Sequence, residues 1–166
     1  MLARKMPVTL NPYGILFNPA SIAGMLDNLK GSRSFSERDL IRHNGRWISL
    51  QHHGSFSANE AESLLQAIGT ATRQGHESLE HSNYLIVTWG TAWVYEHTDT
   101  GSVAANCHKL PETAFRRRRL SPEEIEYLGK KGHDVAKASR RDIAVLAARG
   151  ADGATTVTTT MMIAHM

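Results

Sequence analysis

Tyr84-Leu85-Ile86-Val87-Thr88-Trp89 is six consecutive strand-forming residues without a charge, bounded by Asn83 and Gly90. A continuous run of this kind suits a strand covered on both faces, as in the middle of a parallel sheet. Upstream of it, Ser57 and Glu60 have capping-box spacing, and Ala61, Leu64, Leu65 and Ile68 continue at helical intervals towards Gln74-Gly75. Further back, Asn18-Pro19 reads as an N-cap followed by a first-turn proline. With Ile22, Met25, Leu26 and Leu29 on one face, it predicts a helix over about 19–30 that stops near Gly31. The polar and aromatic residues 32–58 show no sustained period and read as one long structured connection. Downstream, Thr98-Asp99-Thr100-Gly101 separates Val94-Tyr95 from Ser102–Ala105 and predicts a small hairpin. Ser121, Pro122 and Glu124 repeat the helix-start signal, so a third helix is expected from about 122, weakened at Gly129 and Gly132. Helix, connection, helix and buried strand in this order point to an α/β layered domain, with ligands expected near the strand's exit at Gly90-Thr91.

At 166 residues the chain has the length of one ordinary domain. With 41% hydrophobic and 21% charged residues, it has the composition of a globular protein. Its single cysteine, Cys107, excludes an intrachain disulfide and a Cys-only zinc site. The longest strictly apolar stretch, Ile143 to Ala148, falls far short of the roughly 18 residues of a membrane span. Met1–Pro7 carries two cations, but Asn11 and Pro12 interrupt any signal-peptide core. A cytoplasmic location is therefore expected. The net charge of +3 is uneven: residues 116–141 hold nine Lys/Arg against four Asp/Glu. Four arginines, Arg116–Arg119, could contact phosphates, but no aromatic residue interleaves with them in sequence, so a solvated stretch is favoured over a nucleic-acid site. Beyond about Tyr127 the text turns Lys/Arg-rich, then Ala- and Thr-rich, and residues 128–166 form a tail with no evident place in a core.

Five blocks in order carry a family resemblance. They are Asn11-Pro12-Tyr13-Gly14-Ile15-Leu16-Phe17-Asn18-Pro19-Ala20-Ser21-Ile22; His52–Ser57; Thr88–Tyr95; Ala105–Pro111; and Phe115 with Arg119–Ile125. Over about residues 7–127 the chain resembles the GSCFA family, a bacterial and plant group similar to the SGNH (GDSL-like) hydrolases. The resemblance implies an SGNH-hydrolase-like, flavodoxin-like three-layer sandwich with a mainly parallel sheet, here incomplete. It also implies a parent activity of ester or acyl hydrolysis or transfer through a serine, on an ester or carbohydrate substrate. Two departures stand out: Gly-Ser-Cys-Phe-Ala itself is absent, and no Asp-x-x-His pair occurs in residues 127–166. Met1–Met6 resembles the end of the helix that would follow the name motif, so the chain is expected to begin inside the domain. A truncated or frame-shifted reading frame would account for the change near Tyr127. The chain alone is accordingly expected to be inactive.

The resemblance marks Gly90, Thr91, Trp93, Asn106 and His108 as a candidate oxyanion or substrate pocket, with Thr91 where SGNH enzymes carry asparagine. The residues alone allow blander roles: Gly90-Thr91 as a strand exit and cap, and the tryptophans as packing. His52, His53 and Cys107 are weaker candidates. Cys107 and His108 are adjacent, so in extended chain their side chains would point apart and could not activate each other. His43, His52, His53 and His108 lack metal-ligand spacing, and neither a metal nor a cofactor is expected. Two further readings are a non-enzymatic polyanion-binding protein acting through Arg116–Arg119, and an incomplete gene product without independent function.

Overall fold

A computed structural model describes residues 8–82, 84–137, 142–146 and 161–164. The expected helix end at Met1–Met6 lies outside these residues. The elements run β1 (Val8–Leu10), α1 (Pro19–Lys30), β2 (Ile41–His43), β3 (Arg46–Ile48), β4 (Ser57–Ala58), α2 (Ala61–His81), β5 (Tyr84–Thr88), β6 (Trp93–His97), β7 (Val103–Ala104), β8 (Phe115–Arg119), α3 (Pro122–Lys137), β9 (Asp142–Leu146) and β10 (Met161–Ala164).

The mainly parallel, flavodoxin-like sandwich is not what forms. Strand β5 is central, but its sheet has the order β1-β10-β5-β9, in which only β5 and β9 run parallel. Two further three-stranded sheets, β2-β3-β4 and β7-β6-β8, are antiparallel throughout. The physical reason lies in the turns. Asn44 (φ 47) and Gly45 (φ 75) join β2 to β3 through a two-residue left-handed turn, and such a link admits only antiparallel neighbours. The segment 32–58 thus contains a hairpin announced by Asn-Gly. Nor is β5 equally covered on its two sides: Leu85 and Val87 are buried, whereas Tyr84, Ile86 and Thr88 are half-buried.

Leu85 and Val87 pack with Tyr13, Leu16, Ile22, Met25, Leu26 and Leu29, and with Leu79 of α2, in the larger core. Helix α1 begins as its sequence predicts: Asn18 Oδ1 accepts the Ser21 N–H at 2.9 Å, and the chain leaves the helix at Gly31. The capping box expected at Ser57 and Glu60 is not used. Ser57 belongs to β4, Glu60 occupies the N-cap without a side-chain cap, and α2 runs on to His81. Gly75 does not stop it; a Cβ there would lie 2.7 Å from Leu29 Cδ2 and 3.0 Å from Pro12 Cβ, so glycine lets α1 and the 11–14 turn approach. A smaller core gathers Leu40, Leu64 and Ile68, with Trp47 and Phe56 packed against it. At the start of α3 the predicted capping box is formed, with Ser121 N–H donating to Glu124 Oε2 (2.7 Å) and Glu124 N–H to Ser121 Oγ (3.2 Å). The helix passes through Gly129 and packs on α1, where Lys131 pairs with Asp27. The tail, unplaced from sequence, contributes β9 and β10 to either side of β5.

Candidate functional site

The loop from Ser49 to Phe56 is anchored by two other segments and by a bond of its own. Ala105 N–H donates to the Leu50 carbonyl (2.7 Å), His53 N–H to the Tyr13 carbonyl (2.9 Å), and His52 N–H to the Ser49 carbonyl (3.2 Å). Gly14 has a left-handed backbone (φ 77) and the His53 side chain fills the space a Cβ would need, so glycine is required there.

His52 is completely buried, with ring centroids of Tyr13 at 4.1 Å, Phe56 at 4.9 Å and Phe35 at 5.2 Å. Burial pushes its pKa down to about 3, and the nearby His108 and Arg33 act in the same direction. It is therefore neutral at pH 7. Its Nδ1 shares a hydrogen bond with Ser49 Oγ (2.7 Å), while Nε2 is buried without a partner. His53 points away from that cage: its Nδ1 accepts the Ser55 N–H at 3.2 Å.

His108 lies above the same loop. Its Nε2 faces the carbonyl oxygens of Ser49 (2.8 Å) and His52 (3.3 Å), so Nε2 carries the proton and donates. Burial holds its pKa below the ordinary imidazole value, leaving the neutral ring with its lone pair on Nδ1. Both His108 (φ 47) and Lys109 (φ 60) are left-handed, and Leu110 N–H closes the turn on the Cys107 carbonyl at 2.9 Å. Two consecutive non-glycine residues in this region store strain of about 1–3 kcal/mol each. Asn106 Oδ1 accepts the His108 N–H (2.8 Å) and steadies the turn.

His43, Arg46, Gly54, Asn106, His108 and Lys109 border a cavity of about 430 Å³. Cys107 is not part of it. The half-buried thiol lines a second cavity of about 610 Å³ with Tyr95, Leu110, Phe115 and Arg117, and burial raises its pKa. Cys107 and His108 border different cavities and no thiolate–imidazole pair is formed, although the segment is a left-handed turn and not the extended chain on which the expectation rested.

The remaining candidates lie apart from this cleft. Thr91 N–H donates to the Phe17 carbonyl (2.9 Å) and Thr91 Oγ1 accepts the Trp93 N–H (3.1 Å), so its backbone donor and hydroxyl fasten the loop from Gly90 into β6. Trp93 is 38% exposed, with the Arg117 guanidinium 4.2 Å over its ring. Trp89 packs against the larger core and Trp47 against the smaller one.

The arginine run forms strand β8, and its register against β6 divides it into two faces. Arg116 and Arg118 pair with Glu96, and Arg118 also pairs with Glu124. Their guanidinium groups hold the Glu96 carboxyl below its usual range, Arg118 most strongly. Arg117 and Arg119 lie opposite Tyr95 and Trp93 on the other face. Aromatic and cationic side chains thus interleave across strands, a pattern invisible along the sequence.

Among the described residues, no group of three or more His, Cys, Asp or Glu side chains is placed to hold a metal ion. No helix among them is long and apolar enough to cross a membrane.

Comparison with known proteins gives two findings. Over 47 residues, 28% of this chain, the sequence is 68% identical to a pseudouridine-5′-phosphate glycosidase of Hahella chejuensis. The corresponding enzymes of Escherichia coli and Clostridium botulinum are 60% and 57% identical over the same length. The match spans only 15–16% of the length of these curated relatives. No solved structure matches the chain significantly. The GSCFA family model matches residues 1–148, most of the chain and all five of the blocks that carry the resemblance. The chain belongs to the GSCFA family.

Proposed function

We propose that this chain supplies the substrate-holding part of a domain for ester or acyl chemistry, and that its own residues bind a carbohydrate or ester ligand without turning it over. The observation that carries the reading is the orientation of His108. An imidazole that borders a cleft and is fixed through Nε2–H to a backbone carbonyl keeps Nδ1 unprotonated and able to accept a hydrogen bond from a hydroxyl. Asn106 stands beside it, and the left-handed turn holds both. Transfer of an acyl group requires a nucleophile within reach of such a base. Cys107 lies in another cavity with its thiol held protonated, and the serine of the family's name motif is absent from the sequence. The lone thiol accords with a cytoplasmic setting. The short likeness to pseudouridine-5′-phosphate glycosidases covers too little of those enzymes to bring their activity to this chain.

Assay of the purified chain with a small acyl ester such as p-nitrophenyl acetate is expected to give no turnover above buffer. Hydrolysis that disappears in His108→Ala or Cys107→Ala would contradict the inactive reading. Chemical-shift changes confined to Asn106 and His108 on adding ligand would support the binding role.

A second reading rests on the β6–β8 ribbon. Trp93 and Tyr95 beside Arg117 and Arg119 offer stacking surfaces with free cations, which is how single-stranded nucleic acids are held without sequence preference. Here two arginines rather than four are available. Affinity for an oligonucleotide should then fall with a log–log salt slope near about −1.4, not the roughly −2.8 of four phosphate contacts. Undetectable binding at low salt removes this reading.

A further inference from the structure

From the charge around the His108 cleft we infer that its ligand is an anion, a small hydroxyl-bearing molecule with a carboxylate or phosphate group held by Lys109 and Arg46. The inference rests on the binding role proposed above and assigns the ligand's class. The cavity of about 430 Å³ is bordered by Arg46 and Lys109, and among the described residues no Asp or Glu side chain lines it. That contrasts with the other concentrations of charge on the molecule. Arg33 faces Asp39, Arg116 and Arg118 face Glu96, Lys130 faces Glu126 and Lys131 faces Asp27. In the cleft, one Arg46 Nη donates to the Ser57 carbonyl (2.9 Å) and Ser57 Oγ (3.0 Å). These bonds fix the guanidinium and leave its charge uncompensated. Both cations are exposed, but at the rim of a concave site their fields converge and attract an anion more strongly than the same charges on an open surface.

Gly54 adds an independent sign. A Cβ at this position would lie 3.6 Å from Asn106 Nδ2 and 3.7 Å from Oδ1, in ordinary contact with the amide, and both residues border the cavity, so a larger side chain would crowd it. Asn106 Oδ1 is already engaged by the His108 N–H, so Nδ2 is the amide's remaining donor. Glycine keeps that donor open to a ligand oxygen. Donors from Asn106, Lys109 and Arg46 then face the anionic group, while the unprotonated Nδ1 of His108 suits a hydroxyl of the same molecule.

The test compares D-glucose, D-glucuronate and D-glucose 6-phosphate as probes, titrated into the full 166-residue chain at low salt and followed at the Asn106 and His108 resonances. Either anionic sugar is expected to bind at least about tenfold more tightly than glucose, the scale of one charge-assisted contact. Lys109→Gln, an exposed position that should not disturb folding, is expected to remove most of that preference, and Gly54→Val to weaken all three ligands. Arg119→Gln, on the ribbon, is expected to change none of them. The glucuronate and phosphate arms show which oxyanion is preferred. Equal binding of glucose and both anions would overturn the anionic assignment while leaving the cleft as the ligand site. Perturbation of neither Asn106 nor His108 by any probe would overturn both readings, and a preference that persists in Lys109→Gln combined with Arg46→Gln would overturn the assignment of the cations.

Discussion

Two surfaces of this chain concentrate positive charge, and they are built in opposite ways. On the β6–β8 ribbon four arginines lie in a row, yet two of them are neutralised across the strands by Glu96 and, in part, by Glu124. In the cleft over the Ser49–Phe56 loop, Arg46 and Lys109 come from segments more than sixty residues apart and meet no carboxylate. The ribbon is conspicuous in sequence and largely spent in structure. The cleft is inconspicuous in sequence and keeps its charge available. Charge density along a chain is therefore a poor guide to charge available to a ligand; the cross-strand partners decide.

The sharpest way to separate the two surfaces is acid. Because burial depresses the pKa of His52 to about 3, the unfolded state takes up a proton below about pH 6.5 that the folded state refuses. The stability associated with a neutral His52 is fully present above about pH 6.5 and is lost progressively as pH falls towards 3. At about 1.4 kcal/mol per pH unit this amounts to on the order of 3 kcal/mol between pH 7 and pH 4. Denaturant titrations of wild type and His52→Phe across that range should show the slope reduced by that amount in the variant. Equal slopes would mean that His52 is not held as a buried, neutral ring in the 49–56 loop.

The ribbon should respond less. Glu96→Gln removes the shared partner of Arg116 and Arg118, and ion pairs near the surface, with the carboxylate only partly covered, contribute about 1 kcal/mol or less. The expected result is a small loss of stability that shrinks further in high salt, together with a steeper salt dependence of oligonucleotide binding as two more arginines become available. A loss of several kcal/mol would place the ribbon's ion pairs among the main supports of the fold and erase the contrast drawn here. Smaller still should be Thr91→Val, which removes the hydroxyl that accepts the Trp93 N–H but keeps the Thr91 N–H bond to Phe17. A change of no more than about 0.5 kcal/mol in thermal or denaturant unfolding is expected, the low end for a hydrogen bond, because this one is exposed to solvent. Loss of ligand binding in that variant would bring Thr91 back into the site.

Several local signals in the sequence are realised, although the Ser57/Glu60 capping-box spacing is not, because Ser57 is taken into a strand. Asn18-Pro19, Ser121-Pro122-Glu124 and Thr98–Gly101 announce two helix starts and a turn, and each forms as expected. Asn44-Gly45 announces a hairpin just as directly, so the long connection expected over residues 32–58 contains the β2–β3 pair. The continuous run of β5 suggested a parallel sheet because apolar content alone does not reveal the direction of a neighbouring strand. The antiparallel partner β10 starts more than seventy residues after β5 ends, and no short-range pattern marks it. The candidate site divides in the same way. Asn106 and His108 were legible from the family blocks. His52 is a weak candidate in the sequence, whereas Arg46, Gly54 and Lys109 come to border one cavity only when the 41–58 segment folds against the 105–110 turn.

The most direct measurement is the protonation state of His108, read from the nitrogen resonances of its imidazole ring in the full chain. The account predicts a neutral ring at pH 7 protonated at Nε2, with Nδ1 bearing the lone pair and a titration midpoint below the ordinary imidazole value. A proton on Nδ1, or a ring still charged at pH 7, would contradict the geometry on which the cleft's function is built.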